Sequence, residues 1–408
     1  MPAPAPSPGP RVWWRRLVPV AAMLLAVLAC EIALRATNQR DAARFYLPDA
    51  QRGWALRPNQ EGWSREENVV WVRINSDGLR DREHPAAAPP GTVRVAVLGD
   101  SYMMAVNVPQ EKTFTSFLES RLTGCVQGTG RVAEVMNFGV GGYGTAQELL
   151  TYRSHVTNYR PDVVVLAVYT SNDLFNNHPG LNESNHDPTP YFALRGDMLV
   201  LNAPTAVDPY AGEPWFRRLR IAVTERLRTA DLLYRGWATL RPAVKEEEEE
   251  LRPDIAGGLG SEEIYRPPST PAIAEAWRVT EALFLTLARE VAASGAEFWI
   301  VTLSNAQQVH PELAARRALA DGLGVDDLFY PDRRIRDFAA ANGIPAVMLA
   351  EPLAEYSAAS GAFLNGGLSP EMPAGQGHWN VTTNTLAAGI VGDRLCSGSP
   401  HFSSGLVP

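Results

Sequence analysis

The sequence predicts an α/β fold, a three-layer arrangement with a five-stranded parallel sheet, and three observations carry that prediction. Five short apolar runs are bounded by turn residues, at Val93 to Leu98, Glu134 to Phe138, Val163 to Tyr169, Glu297 to Leu303 and Pro345 to Leu349. Helical patterns separate most of them: Phe114, Phe117, Leu118 and Leu122 recur at helical spacing, and Ala272 to Ala293 repeats the habit over a longer span. Strands that alternate with helices form βαβ units and a parallel sheet. Finally, a chain of 408 residues that is 45% hydrophobic can bury one large core or two modest ones.

In chain order, residues 1 to 10 are a Pro/Ala/Ser leader. Arg11, Trp13, Trp14, Arg15 and Arg16 then precede a largely apolar run, Leu17 to Leu34, whose only charge is Glu31. Cationic and aromatic residues before such a run place the amino terminus inside and the remainder outside. Residues 1–35 are therefore read as a cytoplasmic leader and transmembrane or signal-anchor segment. The run is slightly short for a span, and Val27-Leu28-Ala29-Cys30 also reads as a signal-peptidase or lipoprotein-type cleavage site. An uncleaved anchor, a processed signal and a lipidated Cys30 all export the same domain, to the periplasm or the cell surface.

Residues 36–91 form a polar lead-in and linker rather than a second core. They include a predicted hairpin around Val69 to Ile74, a turn at Asn75-Ser76-Asp77-Gly78, and the linker Pro85 to Gly91. Residues 92–398 form the main domain and 399–408 a tail. An insertion at 176–271 interrupts the alternation between the third and fourth strands and reads as a cap. It contains a strand-like Tyr191 to Leu201, an amphipathic helix from about Pro214 to Leu240, and the acidic run Glu246 to Glu250. That run is a solvated helix or a mobile loop, with calcium binding as the alternative.

Of three cysteines, Cys125 and Cys396 lie in the exported part, each just past a predicted helix. In an oxidising compartment the expectation is a Cys125 to Cys396 disulfide, against two inert thiols. A net charge of −8 without a basic stripe argues against nucleic acid. The sequence leaves the oligomeric state open.

The candidate chemistry begins where the first run stops, at Gly99-Asp100-Ser101. A buried strand that delivers a serine to the carboxyl edge of a parallel sheet presents a nucleophile where ligands bind, although Gly-Asp-Ser also makes ordinary polar turns. After the second strand, Asn137-Phe138-Gly139-Val140-Gly141-Gly142-Tyr143-Gly144-Thr145 supplies glycines that turn tightly and aim N–H groups at a ligand. After the third, Ser171-Asn172-Asp173-Leu174 offers the Asn172 amide as an oxyanion donor or as a helix cap. Gly377-His378-Trp379-Asn380 precedes the last helix, and His378 is the candidate base.

Together these four blocks resemble the SGNH hydrolase superfamily, the GDSL-type esterases and lipases. The resemblance implies a flavodoxin-like strand arrangement, Ser101 as nucleophile, Gly142 and Asn172 as oxyanion donors, and His378 as base. The amino-terminal segment, Glu31 with Arg35, the lead-in Asn75-Ser76-Asp77-Gly78-Leu79-Arg80 and His378-Trp379-Asn380 resemble a membrane-anchored bacterial branch. One position departs from the pattern. The family's aspartate two or three residues before the histidine is replaced by Gln376 and Gly375, so the acid is missing. Gln376 through its amide oxygen, Glu371, and Glu351 after the last strand are the candidates for its place, and a degenerate site is the alternative to a working Ser-His pair.

The resemblance implies an extracytoplasmic carboxylic ester hydrolase acting on O-acetyl or other short acyl groups of an envelope or exported polysaccharide, or on a small ester. The alternatives are an O-acyltransferase of the same superfamily and a catalytically degenerate polysaccharide-binding or assembly protein. Tyr191, Phe192, Trp215 and Tyr265 are candidates for a sugar groove or for core packing. No metal cluster is evident in the sequence, and this chemistry needs no cofactor.

Overall fold

The computed structural model describes residues 11–37, 45–182, 189–196, 198–202, 215–238, 262–370 and 372–402. In chain order the elements are α1 (Arg11–Thr37), β1 (Tyr46–Asp49), β2 (Gly53–Leu56), β3 (Glu61–Ser64), β4 (Val70–Arg73), β5 (Thr92–Leu98), α2 (Ser101–Met104), α3 (Phe114–Cys125), β6 (Val132–Asn137), α4 (Thr145–Ser154), β7 (Val163–Tyr169) and α5 (Thr170–Asn176). There follow β8 (Tyr191–Arg195), β9 (Met198–Asn202), α6 (Trp215–Arg226), α7 (Arg228–Ala238), α8 (Pro271–Ala293), β10 (Glu297–Leu303), α9 (Leu313–Leu323), α10 (Tyr330–Ala341), β11 (Ala346–Met348), α11 (Ala350–Ser360) and α12 (Val381–Gly398). The acidic run Glu246 to Glu250 and Glu371 lie outside the described residues.

The chain divides into two compact units. The larger spans 40–209 and 252–408. Its sheet has the order β11-β10-β7-β5-β6 with every pair parallel. This is the five-stranded α/β/α fold that the alternation predicts. Along β5 the side chains alternate between two cores, as a strand buried on both faces requires. Val93, Val95 and Val97 pack with Leu118 of α3, Leu353 of α11 and Val391 of α12, whereas Ala96 and Leu98 pack with Leu149 of α4, Leu283 of α8 and Ile335 of α10. Arg94 is buried in the same strand because Glu134 of β6 accepts from its Nε at 2.6 Å and the carbonyls of Ala86 and Tyr159 take its Nη1.

Helices α3 and α12 lie on one face of the sheet, and Cys125 and Cys396 at their ends form the expected disulfide, with a Cα separation of 5.9 Å. The hairpin is also present. β3 and β4 pair antiparallel with Trp63 opposite Trp71. The lead-in does more than expected, since Phe45, Leu56, Val70, Val72 and Ile74 build a small core of their own with Met104, Val106, Val140 and Tyr143. The strand-like Tyr191 to Leu201 is a two-stranded hairpin turning at Gly196, where φ is +63°. Phe192 and Tyr265 are buried in the main core, so these two aromatics serve packing.

The smaller unit spans 1–39 and 210–251. In α1, the 19 residues Leu17–Arg35 have a mean hydropathy of 2.5 and are long and apolar enough to cross a membrane. The single helix expected from Pro214 to Leu240 is two helices, α6 and α7, broken at Leu227. The break has a tertiary cause. The side chain of Arg35 donates to the Arg226 carbonyl at the end of α6, and the first N–H groups of α7, those of Arg228 and Thr229, are taken by the carboxylate of Glu31.

Candidate active site

β5 ends at Leu98, and Gly99-Asp100 turn the chain into the one-turn helix α2, which starts with Ser101. Gly99 admits no side chain, because a Cβ there would stand 2.4 Å from Met103 Cγ. Asp100 is fully buried and caps the turn: its Oδ1 accepts the Tyr102 N–H at 2.9 Å and its Oδ2 accepts from Asn172 Nδ2 at 3.2 Å. Burial pushes its carboxyl up to about 6, against the pull of the Tyr102 N–H, His378 and Asn172. Behind it, burial and neighbouring carboxyls push Asp173 and Glu148 far above the ordinary carboxylate range.

The lead-in braces this corner. Arg80 is 1% exposed and donates to the carbonyls of Met104, Ala105 and Val108, the segment where α2 ends on Ala105 at φ +51°. The Asn75-Ser76-Asp77-Gly78 turn positions it, since Asn75 Oδ1 accepts the N–H groups of Asp77 and Leu79.

His378 arrives from the far end of the chain, on the loop before α12. Asn380 caps that helix by accepting the Thr383 N–H. Trp379 is buried, its indole N–H directed to Ser304, and its carbonyl accepts from Asn107. With the backbone so fixed, His378 Nε2 lies 2.7 Å from Ser101 Oγ, and the Tyr102 ring packs 4.8 Å from the imidazole, centroid to centroid.

The other imidazole nitrogen decides what the site can do. His378 Nδ1 donates to Glu67 Oε1 at 2.6 Å, and the His378 backbone N–H also points at this carboxylate, 3.1 Å from Oε1 and 3.0 Å from Oε2. Serine, histidine and acid thus form one hydrogen-bonded chain. Glu67 sits on the connection between β3 and β4 and is 6% exposed. Burial pushes its carboxyl up, but the hydrogen bond and charge of His378 outweigh that and leave it below the usual range. Burial likewise pushes the imidazole down, while the bond and charge of Glu67 bring it above its ordinary value. The two shifts agree in describing an ion-pair-like contact.

No family model matches the chain, and no curated protein matches it either. Solved structures do. An acetyl xylan esterase, AlAXEase, is 12% identical over 74% of this chain and 100% of its own, at a TM-score of 0.37. A catalytic mutant of the acetylxylan esterase Axe2 from Geobacillus stearothermophilus is 10% identical over 72% and 90%, at 0.34. A GDSL-like lipase from Bacteroides thetaiotaomicron is 13% identical over 74% and 87%, at 0.30. Likenesses this loose leave the chemistry to the site's own geometry.

Gly142 stands at φ +77°, with its carbonyl accepting from Asn176 and the neighbouring Gly141 carbonyl accepting from the Trp54 indole. Among the described residues, the backbone N–H groups of Ser101 and Gly142 donate to no protein acceptor, so both are free for an incoming oxygen. Asn172 commits one N–H to Asp100.

The missing acid is the correction. The Nδ1 position is filled by Glu67, not by Gln376, which is exposed, nor by Glu351, which is exposed at the start of α11. The sequence next to His378 does not identify this partner, which lies 311 positions upstream. One local signal could have raised the question. Gly377 has φ +68°, and a Cβ there would stand 2.6 Å from Glu67 Oε1, so the glycine marks the close approach of a group from elsewhere.

Proposed function

We propose that the chain is a serine carboxylic ester hydrolase of the SGNH type, held in a membrane by α1 with its catalytic domain outside, and that it removes O-acetyl or other short acyl groups from an envelope or exported polysaccharide. The observation that carries the proposal is the hydrogen-bonded chain Ser101–His378–Glu67. Anionic Glu67 keeps the proton on Nδ1, which leaves Nε2 free to take the Ser101 proton and stabilises the imidazolium that results. Ser101 Oγ then attacks the ester carbonyl carbon. The oxyanion is held by the N–H groups of Ser101 and Gly142 and by the Asn172 amide, each of which is worth about 3 kcal/mol in comparable acyl-transfer sites. Collapse expels the alcohol, which takes its proton from His378. Water, activated by the same histidine, releases the acid and restores Ser101.

Glu67 also removes the motive for reading the site as degenerate, since the acid comes from a different part of the chain. The Cys125–Cys396 disulfide supports an oxidising, extracytoplasmic setting. The test is hydrolysis of 4-nitrophenyl acetate and then of acetylated xylan and chitooligosaccharides by the full chain, with Ser101→Ala beside it. Turnover should fall by on the order of 10⁶ in the variant, as loss of a nucleophile does elsewhere. Equal turnover in both proteins overturns the proposal. Acyl transfer to a sugar acceptor without hydrolysis would reassign the same residues to a transferase.

A further inference from the structure

The smaller unit carries a feature that ester chemistry does not use. On α6, Trp215, Leu219 and Val223 stand four residues apart and form one stripe, with Phe216 beside it; on α7, Leu232 and Leu233 stand out in the same way. All are exposed, Trp215 by 75% and Leu233 by 69%. The stretch from Trp215 to Ala238 holds six arginines against two carboxylates, in a chain whose net charge is −8. Exposed tryptophan, phenylalanine and leucine on a basic helix are the composition of a segment lying in a membrane interface.

The hydrogen bonds of this unit tell which membrane depth the helices meet. Glu31, the single charge in the apolar run, is 8% exposed and accepts the Arg228 N–H at 3.1 Å, the Thr229 N–H at 2.9 Å, the Thr229 hydroxyl at 2.9 Å and Arg35 Nε at 2.7 Å. In return, Arg228 Nη1 donates to the Leu34 carbonyl at 2.7 Å and Arg35 Nη2 to the Arg226 carbonyl at 2.8 Å. A carboxylate at the start of α7 also meets the positive end of that helix. These contacts dock the α6–α7 junction on residues 31–35, where the apolar window of α1 ends.

We propose that α6 and α7 form an interfacial hairpin in the headgroup layer of the bilayer that α1 crosses. Trp215, Phe216, Leu219, Val223, Leu232 and Leu233 enter the acyl boundary, the net positive charge of the stretch favours anionic phospholipid headgroups, and Glu31 clasps the hairpin to the span. The inference rests on reading α1 as an uncleaved anchor. A charge inside an apolar span is costly unless partnered, and the clasp supplies its partners. Lipid, rather than a protein partner, is favoured because the stretch is basic in composition as well as apolar on its exposed side, and begins at the end of the span.

The experiment uses the full chain in vesicles of phosphatidylcholine and phosphatidylglycerol. With Cys30→Ser as background, a single environment-sensitive fluorophore is placed at Leu219→Cys, Leu232→Cys or, as a reference inside α1, Leu25→Cys. Quenching is read with phospholipids spin-labelled near the acyl carbonyl or near the chain end. Positions 219 and 232 should be quenched about two-fold or more by the shallow label and less by the deep one, as expected for side chains at the headgroup boundary, with the order reversed at 25. Water-like emission at 219 and 232, or blue-shifted emission that no lipid label quenches because a second copy or another protein covers the face, overturns the hairpin while quenching at 25 upholds the anchor. No quenching at any position overturns both. Glu31→Ala should reduce shallow quenching at 232 and leave 25 unchanged; unchanged quenching at 232 overturns the clasp.

Discussion

Two regions build the candidate site in different ways. Ser101 and Asn172 hang from the carboxyl ends of β5 and β7, neighbouring strands of the central sheet, whereas Glu67 reaches in from a two-stranded hairpin outside that sheet. A strand end is positioned by the buried valines on either side of it, so its place is set by a pattern the chain repeats five times. The hairpin is positioned by a small core shared with Met104, Val106, Val140 and Tyr143, and by the fit of one carboxylate against a glycine. Ser101 and Asn172 thus owe their places to the fold class, while Glu67 owes its place to this particular packing.

That contrast can be broken most sharply at Glu67. Glu67→Gln should keep the fold and lower kcat by about 10³ to 10⁴, because the neutral amide can hold the wrong imidazole tautomer and cannot stabilise the imidazolium. Its pH profile gives a second reading. In the parent protein, activity needs a neutral imidazole, so kcat/KM falls as pH drops through a His378 value held above the usual 6.5 by Glu67. Removing the Glu67 charge takes away the main group that opposes burial, leaving only the charges of Asp100 and Glu66 against it, and the acid limb should move to lower pH. A limb that stays in place would show that Glu67 does not set the histidine's state.

Gly377→Ala comes next. The added methyl meets the Glu67 carboxylate and forces a side chain into positive φ, displacing acid and base together, and a shift near 1 Å should cost about 10²-fold in kcat. The Cys125→Ser variant tests the sheet-side region instead. Loss of the α3–α12 bridge should cost about 2–4 kcal/mol, seen as a lower Tm, with turnover at 25 °C little changed. The smallest effect is expected at Gln376→Asp, the position where the family pattern would put an acid. With Nδ1 already bonded to Glu67, turnover should change by less than about three-fold, within the range of an exposed substitution; a large gain would mean that Glu67 leaves the imidazole under working conditions.

The amphipathic stretch around residues 214–240 shows a similar limit in the smaller unit. Its periodicity is helical throughout, yet the helix is broken at Leu227, because Glu31 and Arg35 supply the groups that end one helix and begin the next. Neither acceptor nor donor lies within 190 positions of the break, so no local pattern could register it.

The sequence by itself determined the five strands, their alternation with helices, the Gly99-Asp100-Ser101 corner, the two loops beside it and the place of His378 before the last helix. Each of these follows from short-range chemistry: apolar period, glycine at a turn, or a cap at a helix start. Tertiary structure alone decided that the two expected thiols meet, which carboxylate reads the histidine, where the lead-in packs and where the amphipathic helix breaks. Those outcomes depend on contacts between residues hundreds of positions apart, whose energies arise only after the sheet has brought them within hydrogen-bond distance.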